Sequence, residues 1–228
     1  MTGINLSNLS KIYEIDGKKI KALDNLNLNL DIKKRNVLIG PSGCGKSTLL
    51  RTIGGLLEID QGEILKDKVK TSFVFQDPRL LAWKNVEENI KFSNNDSKLC
   101  QKWIKIMGLK GFEKAYPSQL SGGMKARVSL ARALIFPNNF MLLDEPFASL
   151  DEITKEKLEI ELINYMKIKN SGFLFVSHDL EEALNVGQRL IIMKNGKIVS
   201  DFDLEDGKLS KEILRNKFKK IIGEENEK

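Results

Sequence analysis

The sequence predicts an α/β fold built on a largely parallel sheet. Short apolar strings alternate with helix-like segments at both ends of the chain, which is the pattern of parallel strands joined through helices. Between residues 77 and 137 the strand signals vanish and only helix-like segments follow, so a helical insert interrupts the sheet.

The elements follow in order. NLNLNLDI (25–32) alternates with period two and reads as a half-buried strand. NVLIG (36–40) is a short apolar strand that runs into glycine, and KSTLLRTIGG (46–55) is a helix closed by Gly54 and Gly55. GEIL (62–65) and SFVFQ (72–76) are further strands. VEENIKF (86–92), SKLCQKWIKIMG (97–108) and GGMKARVSLARALI (122–135) make the insert. Strands return at FMLLDE (140–145) and GFLFVSH (172–178), separated by the helix DEITKEKLEIELINYMKIK (151–169). RLIIMKNGKIVS (189–200) reads as a hairpin turning at Asn195 and Gly196. Leu214, Phe218, Ile221 and Ile222 form one face of a last helix, expected to pack on its own domain. The division expected is one domain, with a core of 1–76 and 138–228 and an insert of 77–137.

Of the 228 residues, 41% are hydrophobic and 30% charged, which fits a soluble globular protein. No stretch reaches the ~18 apolar residues of a membrane span. The start MTGINLSNLSKIY lacks a basic segment followed by an apolar run, so no secretory signal is expected. Two cysteines, Cys44 and Cys100, argue against a disulfide framework and for the cytoplasm. The net charge is +6. The lysines are spread, with the densest cluster in KEILRNKFKK (211–220), so the charge points to solubility and nucleic acid is not expected as a partner.

GPSGCGKST (40–48) matches G-x-x-x-x-G-K-[ST] between a strand and a helix. Gly40, Gly43 and Gly45 let the backbone turn tightly, so that the loop of Gly40, Pro41, Ser42, Gly43, Cys44 and Gly45 aims N–H groups at phosphate oxygens. Lys46 supplies a mobile charge for β- and γ-phosphates, Ser47 a hydroxyl for Mg²⁺, and Thr48 a contact to the α-phosphate. Cys44, at a free position of the motif, reads as a tolerated small side chain.

FMLLDE places Asp144 and Glu145 at the carboxyl end of a buried strand, where open α/β sheets bind ligands. Alone, the pair could be surface acids ending a strand. Beside a phosphate loop, Asp144 reads as a Mg²⁺ ligand and Glu145 as the base that orients or deprotonates water. His178 ends the next strand, expected beside that of Glu145 and hence near the γ-phosphate; a lone histidine can also be a cap. Gln76 ends the strand SFVFQ. Ser121, Gly122 and Gly123 open a helix with nothing bulky in front, which is an anion site.

GPSGCGKST, Phe75-Gln76, LSGGM, FMLLDEP, SLD (149–151) and His178, in this order and spacing, resemble an ABC-type ATPase, the nucleotide-binding subunit of an ABC transporter. The resemblance runs from about residue 4 to 200. It implies a P-loop NTPase (RecA-like) core with a mixed, largely parallel sheet, an inserted helical subdomain and an N-terminal antiparallel β region. It implies ATP and Mg²⁺ as cofactors, and two copies arranged head to tail. The 121–123 helix start of one copy would grip the γ-phosphate held by the phosphate loop of the other. Tyr13 resembles the aromatic that stacks on adenine; its other reading is a strand aromatic in the core. Gln76 resembles the residue that touches Mg²⁺ and the attacking water and links the insert to the sheet. Asp151 resembles the loop that communicates across the dimer, His178 the switch histidine and Glu145 the catalytic base. Three departures stand out: Met124 where glutamine is usual, KKRN (33–36) where a Gly-Glu pair is common, and ASLD (148–151) for SALD.

LSGGM and LLAWKNVEEN (80–89) resemble the importer ATPases of the nitrate, sulfonate and taurine group, which includes relatives serving other small organic solutes. LLAW stands for their LLPW, with Ala82 in place of proline. In that family this segment docks the permease; otherwise Trp83 would only pack the insert. The resemblance implies a homodimer on the cytoplasmic face of the membrane, bound to a separate permease and served indirectly by an extracytoplasmic solute-binding protein. No C-terminal regulatory domain is expected in the residues after Ser200. Other readings are a soluble non-transport ABC ATPase and an exporter or lipoprotein-release ATPase. An unrelated P-loop kinase or GTPase has no use for LSGG.

Overall fold

In the structure, a computed structural model describing residues 3–206 and 210–223, the chain opens with β1 (Gly3–Ile15), β2 (Lys18–Asp31), β3 (Arg35–Ile39), α1 (Lys46–Ile53) and β4 (Gln61–Lys66). Then come β5 (Thr71–Val74), α2 (Val86–Lys91), α3 (Ser97–Ile106), a 3-10 turn (Pro117–Gln119), α4 (Gly122–Ile135), β6 (Phe140–Asp144) and α5 (Glu152–Lys169). The last elements are β7 (Gly172–Ser177), α6 (Leu180–Val186), β8 (Arg189–Lys194), β9 (Lys197–Asp203) and α7 (Lys211–Gly223). They fall into two compact units, one from the described residues of 1–69 and 171–228, the other from 70–170.

In the first unit β2, β1 and β4 form an antiparallel sheet in that order. Along β2, Leu26, Leu28 and Leu30 are buried while Asn25, Asn27, Asn29 and Asp31 are exposed, which is the period-two pattern read from the sequence. The strand extends further back than that pattern, to Lys18. Asp16 and Gly17 join it to β1 with φ of 51° and 72°, the twist that tight hairpins need. Asn195 and Gly196 do the same between β8 and β9, with φ of 48° and 76°.

The unit's other strands run β7, β3, β8, β9. β3 is parallel to β7 and to β8, and β9 returns antiparallel. Val37, Leu38 and Ile39 of β3 have no exposure, and β7 is buried throughout. Strands covered on both faces read as continuous apolar strings, which is why they lacked alternation. α1 buries Leu49, Leu50 and Ile53 completely, each worth about 1.5–3 kcal/mol. α7 buries Leu214 and half-buries Phe218, Ile221 and Ile222. Arg215 holds Glu181 of α6 through two bonds of 2.6 and 2.7 Å, and the Lys194 ammonium donates to the Ile221 carbonyl at 2.8 Å. The last helix therefore lies on its own unit, as its apolar face suggested.

In the second unit β5 and β6 pair in parallel, from Thr71 opposite Phe140 to Val74 opposite Leu143. β5 ends there, so Gln76 lies just beyond the strand rather than in it. β6 is buried along its length. Asn85 and Glu88 cap α2 reciprocally, Asp96 caps α3, and α5 runs from the Asp151 cap to Asn170 in the left-handed region. Buried Trp103 of α3 meets Tyr165 of α5 edge to face at 4.9 Å, and the Tyr165 hydroxyl donates to the Leu134 carbonyl of α4 at 2.7 Å. This unit holds β5, β6 and α5 together with the helices of 77–137. Among the described residues no helix is long and apolar enough to cross a membrane.

Candidate functional site

The phosphate loop leaves β3 at Ile39 and enters α1 at Lys46. Two glycines are demanded by close approach. A Cβ on Gly40 would lie 2.1 Å from the Met193 carbonyl oxygen, and one on Gly45 would lie 2.1 Å from that of Ala22. Gly45 also has φ 106°, where side chains are strained. The Asn195–Gly196 turn supports the loop: the Gly196 N–H donates to the Cys44 carbonyl at 3.0 Å, and the Gly196 carbonyl accepts from the Asp24 N–H at 3.0 Å. Cys44 is buried, its sulfur tucked under Gly40, in keeping with a small side chain that fills space.

Ser42 and Gly43 are exposed at the loop's tip, and Pro41, Ser47 and Thr48 are half-buried. Gly45 gives α1 no side-chain cap, and no acid sits in its first turn. α1 thus opens on backbone amides and a helix dipole that favour an anion. Lys46 is 7% exposed and donates to the carbonyls of Gly40 and Pro41, both at 2.8 Å. Its charge is held inside the loop. These residues fit a polyphosphate: amides, an ammonium and a hydroxyl, with no competing carboxylate in the helix's first turn.

In the second unit, Asp144 ends β6 and is 2% exposed. Glu145 follows with φ 46°, a left-handed conformation that costs a non-glycine residue about 1–3 kcal/mol. The chain turns there, and the Glu145 Oε2 accepts from the Gln76 Nε2 at 3.2 Å. The expected base and the expected water-binding glutamine thus meet. Among the described residues no cluster of three or more His, Cys, Asp or Glu could hold a metal unaided. Within this unit the donors at hand, a side-chain amide and two carboxylates, suit a Mg²⁺ ion that draws its remaining oxygens from phosphate and water.

The other expected anion site is also open. Ser121 caps α4, its Oγ accepting from the Met124 N–H at 3.2 Å, so its own proton remains available to donate. Nothing lies within 4 Å of a Cβ placed on Gly122. Gly123 faces the 149–151 segment, where its Cβ would be 3.1 Å from the Ser149 carbonyl. Asp151 caps α5; the Thr154 amide and then its hydroxyl hold the carboxyl below the usual carboxylate range.

Tyr13 is half-buried on β1 opposite Ile20, with the Lys11 ammonium 5.9 Å from its ring. His178 is exposed between β7 and α6, on a turn where Asp179 caps α6 through the amides of Glu181 and Glu182. Trp83 is 74% exposed and so does not pack the insert. Its loop is pinned from beneath by Asn89, which is fully buried and bonds Leu81 through both its N–H and its carbonyl, and the carbonyls of Lys84 and Asn85. Asn89 escaped sequence reading, although an asparagine between the buried Val86 and Ile90 of α2 was a signal of it.

The ABC transporter family model matches residues 23–148. An aliphatic sulfonates import ATP-binding protein, SsuB of Bacillus cereus, is 41% identical over 209 residues, spanning 86% of this chain and 83% of its own. An uncharacterized ABC transporter ATP-binding protein of Methanocaldococcus jannaschii, MJ0412, is 39% identical over 221 residues, 89% of this chain and 83% of its own. The dimeric post-hydrolysis structure of the ATP-binding cassette MJ0796 with ADP and Pi superposes with a TM-score of 0.82 at 30% identity. That match covers 89% of this chain and 99% of the other. Fold and phosphate loop together define a RecA-like P-loop ATPase with a helical insertion and N-terminal antiparallel strands. The chain belongs to the ABC transporter family of ATP-binding proteins, and its activity is the binding and hydrolysis of ATP.

Proposed function

We propose that the chain is the ATPase subunit of an importer for a small organic solute of the sulfonate, taurine or nitrate type. It works as a homodimer, bound on the cytoplasmic face of the membrane to a separate permease. An extracytoplasmic solute-binding protein delivers the solute. The similarity to aliphatic sulfonates import proteins supports the subgroup, and the dimeric cassette it resembles supports self-pairing. The observation that carries the reading is the presence on one chain of two glycine-rich helix starts, at α1 and at α4, neither with an acid in its first turn. One chain needs one phosphate cradle; the second start suits the γ-phosphate held by a second copy.

In this reading the loop amides of 42–45 and of α1 bind the phosphates, and Lys46 turns from its own carbonyls to the β- and γ-oxygens. Thr48 reaches the α-phosphate and Tyr13 stacks on adenine. By the family resemblance Ser47, Asp144 and Gln76 would be the Mg²⁺ ligands, and the ion would neutralise charge on the phosphate oxygens. Glu145 takes the proton of the attacking water, whose oxygen bonds to the γ-phosphorus as the bond to the β–γ bridging oxygen breaks. Gln76 orients Glu145 and the water. His178 contacts the γ-phosphate, and Asp151 lies in the loop that carries the state of one site to the other. Trp83, exposed on a loop fixed by Asn89, presents an apolar anchor to the permease.

Purification of the tagged chain from its own cell membranes, with mass spectrometry of what accompanies it, tests the reading. A multi-span permease is the expected companion. Ribosomal or DNA-bound proteins in its place would move the ATPase to the non-transport class.

A further inference from the structure

We infer that Arg132, on the helix that begins at the 121–123 anion site, is a positioning residue for Gln76. Residues 77–79, which follow Gln76, form neither helix nor strand. Arg79 has φ 45°, a conformation that disfavours any residue with a side chain. In an extended chain successive carbonyls point to opposite sides. The left-handed turn at Arg79 brings those of Pro78 and Arg79 to one side, and the guanidinium of Arg132 takes both. Its Nη2 donates to Pro78 at 3.0 Å and its Nη1 to Arg79 at 3.1 Å. The Arg79 guanidinium meanwhile lies 4.1 Å from the centre of the Phe75 ring, which stacks on Phe73 at 4.2 Å.

Gln76 is therefore held on both sides. Before it, the Phe75 ring stacks on Phe73 and meets the Arg79 guanidinium. After it, the backbone is gripped by the fork of Arg132, a planar two-donor geometry that lysine lacks. Gln76 in turn donates to Glu145. Arg132 touches none of the reacting groups; it fixes the loop from which Gln76 reaches Glu145. The same helix thus carries the anion site at its start and the clamp on the Gln76 loop near its end. The inference rests on the proposed roles of Gln76 and Glu145 in hydrolysis.

A double-mutant cycle on the full-length chain tests it, with steady-state ATP hydrolysis as the readout. Arg132→Met keeps the apolar stem and removes both donors. It is expected to lower kcat about tenfold while the KM for ATP changes less than about threefold, because the lost contact acts on the chemical step. Arg132→Lys, which keeps the charge and one donor, is expected to recover part of that loss, and it carries the cycle should the Met variant fail to fold. In a Gln76→Ala background either change is expected to cost less than about twofold more, since residues acting through one group are not additive. Hydrogen exchange of the amides at 76–80 is expected to quicken in the Arg132 variants. Losses that add fully in the double variant, or an unchanged kcat in both Arg132 variants, would overturn the inference. Unchanged turnover in Gln76→Ala alone would instead remove the role of Gln76 itself, a result distinct from additive losses.

Discussion

Gln76 and Glu145 stand on different segments, 69 positions apart, and meet through a single hydrogen bond of 3.2 Å. Each lies just past the carboxyl end of a strand, and the parallel pairing of those strands brings the two ends level. A side-chain amide there orients the Glu145 carboxylate without adding charge. Gln76→Glu would place a second carboxylate against it. The two like charges would repel, so the Glu145 carboxylate is expected to lose its orientation and kcat for ATP hydrolysis at pH 7 to fall. A kcat equal to the wild type would contradict the pairing.

Gly45→Ala is expected to destabilise the fold by about 2–4 kcal/mol, through a left-handed backbone and an overlap with the Ala22 carbonyl. Gly43→Ala meets nothing within 4 Å and carries only the strain of φ 76°, about 1–2 kcal/mol. Thermal unfolding of both variants checks the order; equal losses would mean that the close approach does not matter.

The α7 helix is tied to α6 by Arg215 and Glu181. Arg215 holds the Glu181 carboxyl below its ordinary value. A depressed folded pKa stabilises above the unfolded value of about 4.5 and is lost as the pH falls through the lower, folded one. Glu181→Gln is therefore expected to speed hydrogen exchange in 211–223 at pH 7. The difference from wild type is expected to close below about pH 4. A difference that persists in acid would assign the effect to something other than this ion pair.

Trp83 is exposed while the loop beneath it is fixed. Trp83→Ala is expected to reduce recovery of the permease in membrane pull-downs by an order of magnitude or so, the loss typical of an interface hot spot. ATP hydrolysis by the isolated subunit is expected to stay within about twofold, as for a surface change remote from the site. Equal permease recovery would remove Trp83 from the docking surface.

What the sequence disclosed and what it hid have physical causes. The phosphate loop was legible because its chemistry is local: glycines, lysine and hydroxyls at fixed spacing fold around one anion. Asp144 and Glu145 were legible as a strand end because the apolar string before them is buried along its length. The hairpin of β1 and β2 was only half seen. Register shifts around Leu6, Leu9 and Lys11 break the alternation of β1, and residues 18–21 of β2 are exposed and carry no burial pattern. The Asp16–Gly17 turn was the remaining signal. Arg132 left no trace in the text, because its partners are backbone carbonyls 54 and 53 positions away, and any residue supplies a carbonyl. The left-handed backbone of Glu145 was equally invisible, since glutamate has no preference for that conformation.

The most direct test of the central claim, that each ATP site is completed by a second copy of the chain, is sedimentation of Glu145→Gln with and without ATP and Mg²⁺. Without the base, ATP should stay intact and the closed state should accumulate. The expected result is monomer without nucleotide and stable dimer with it. A variant that binds ATP·Mg²⁺ to saturation and still sediments as a monomer would contradict the claim.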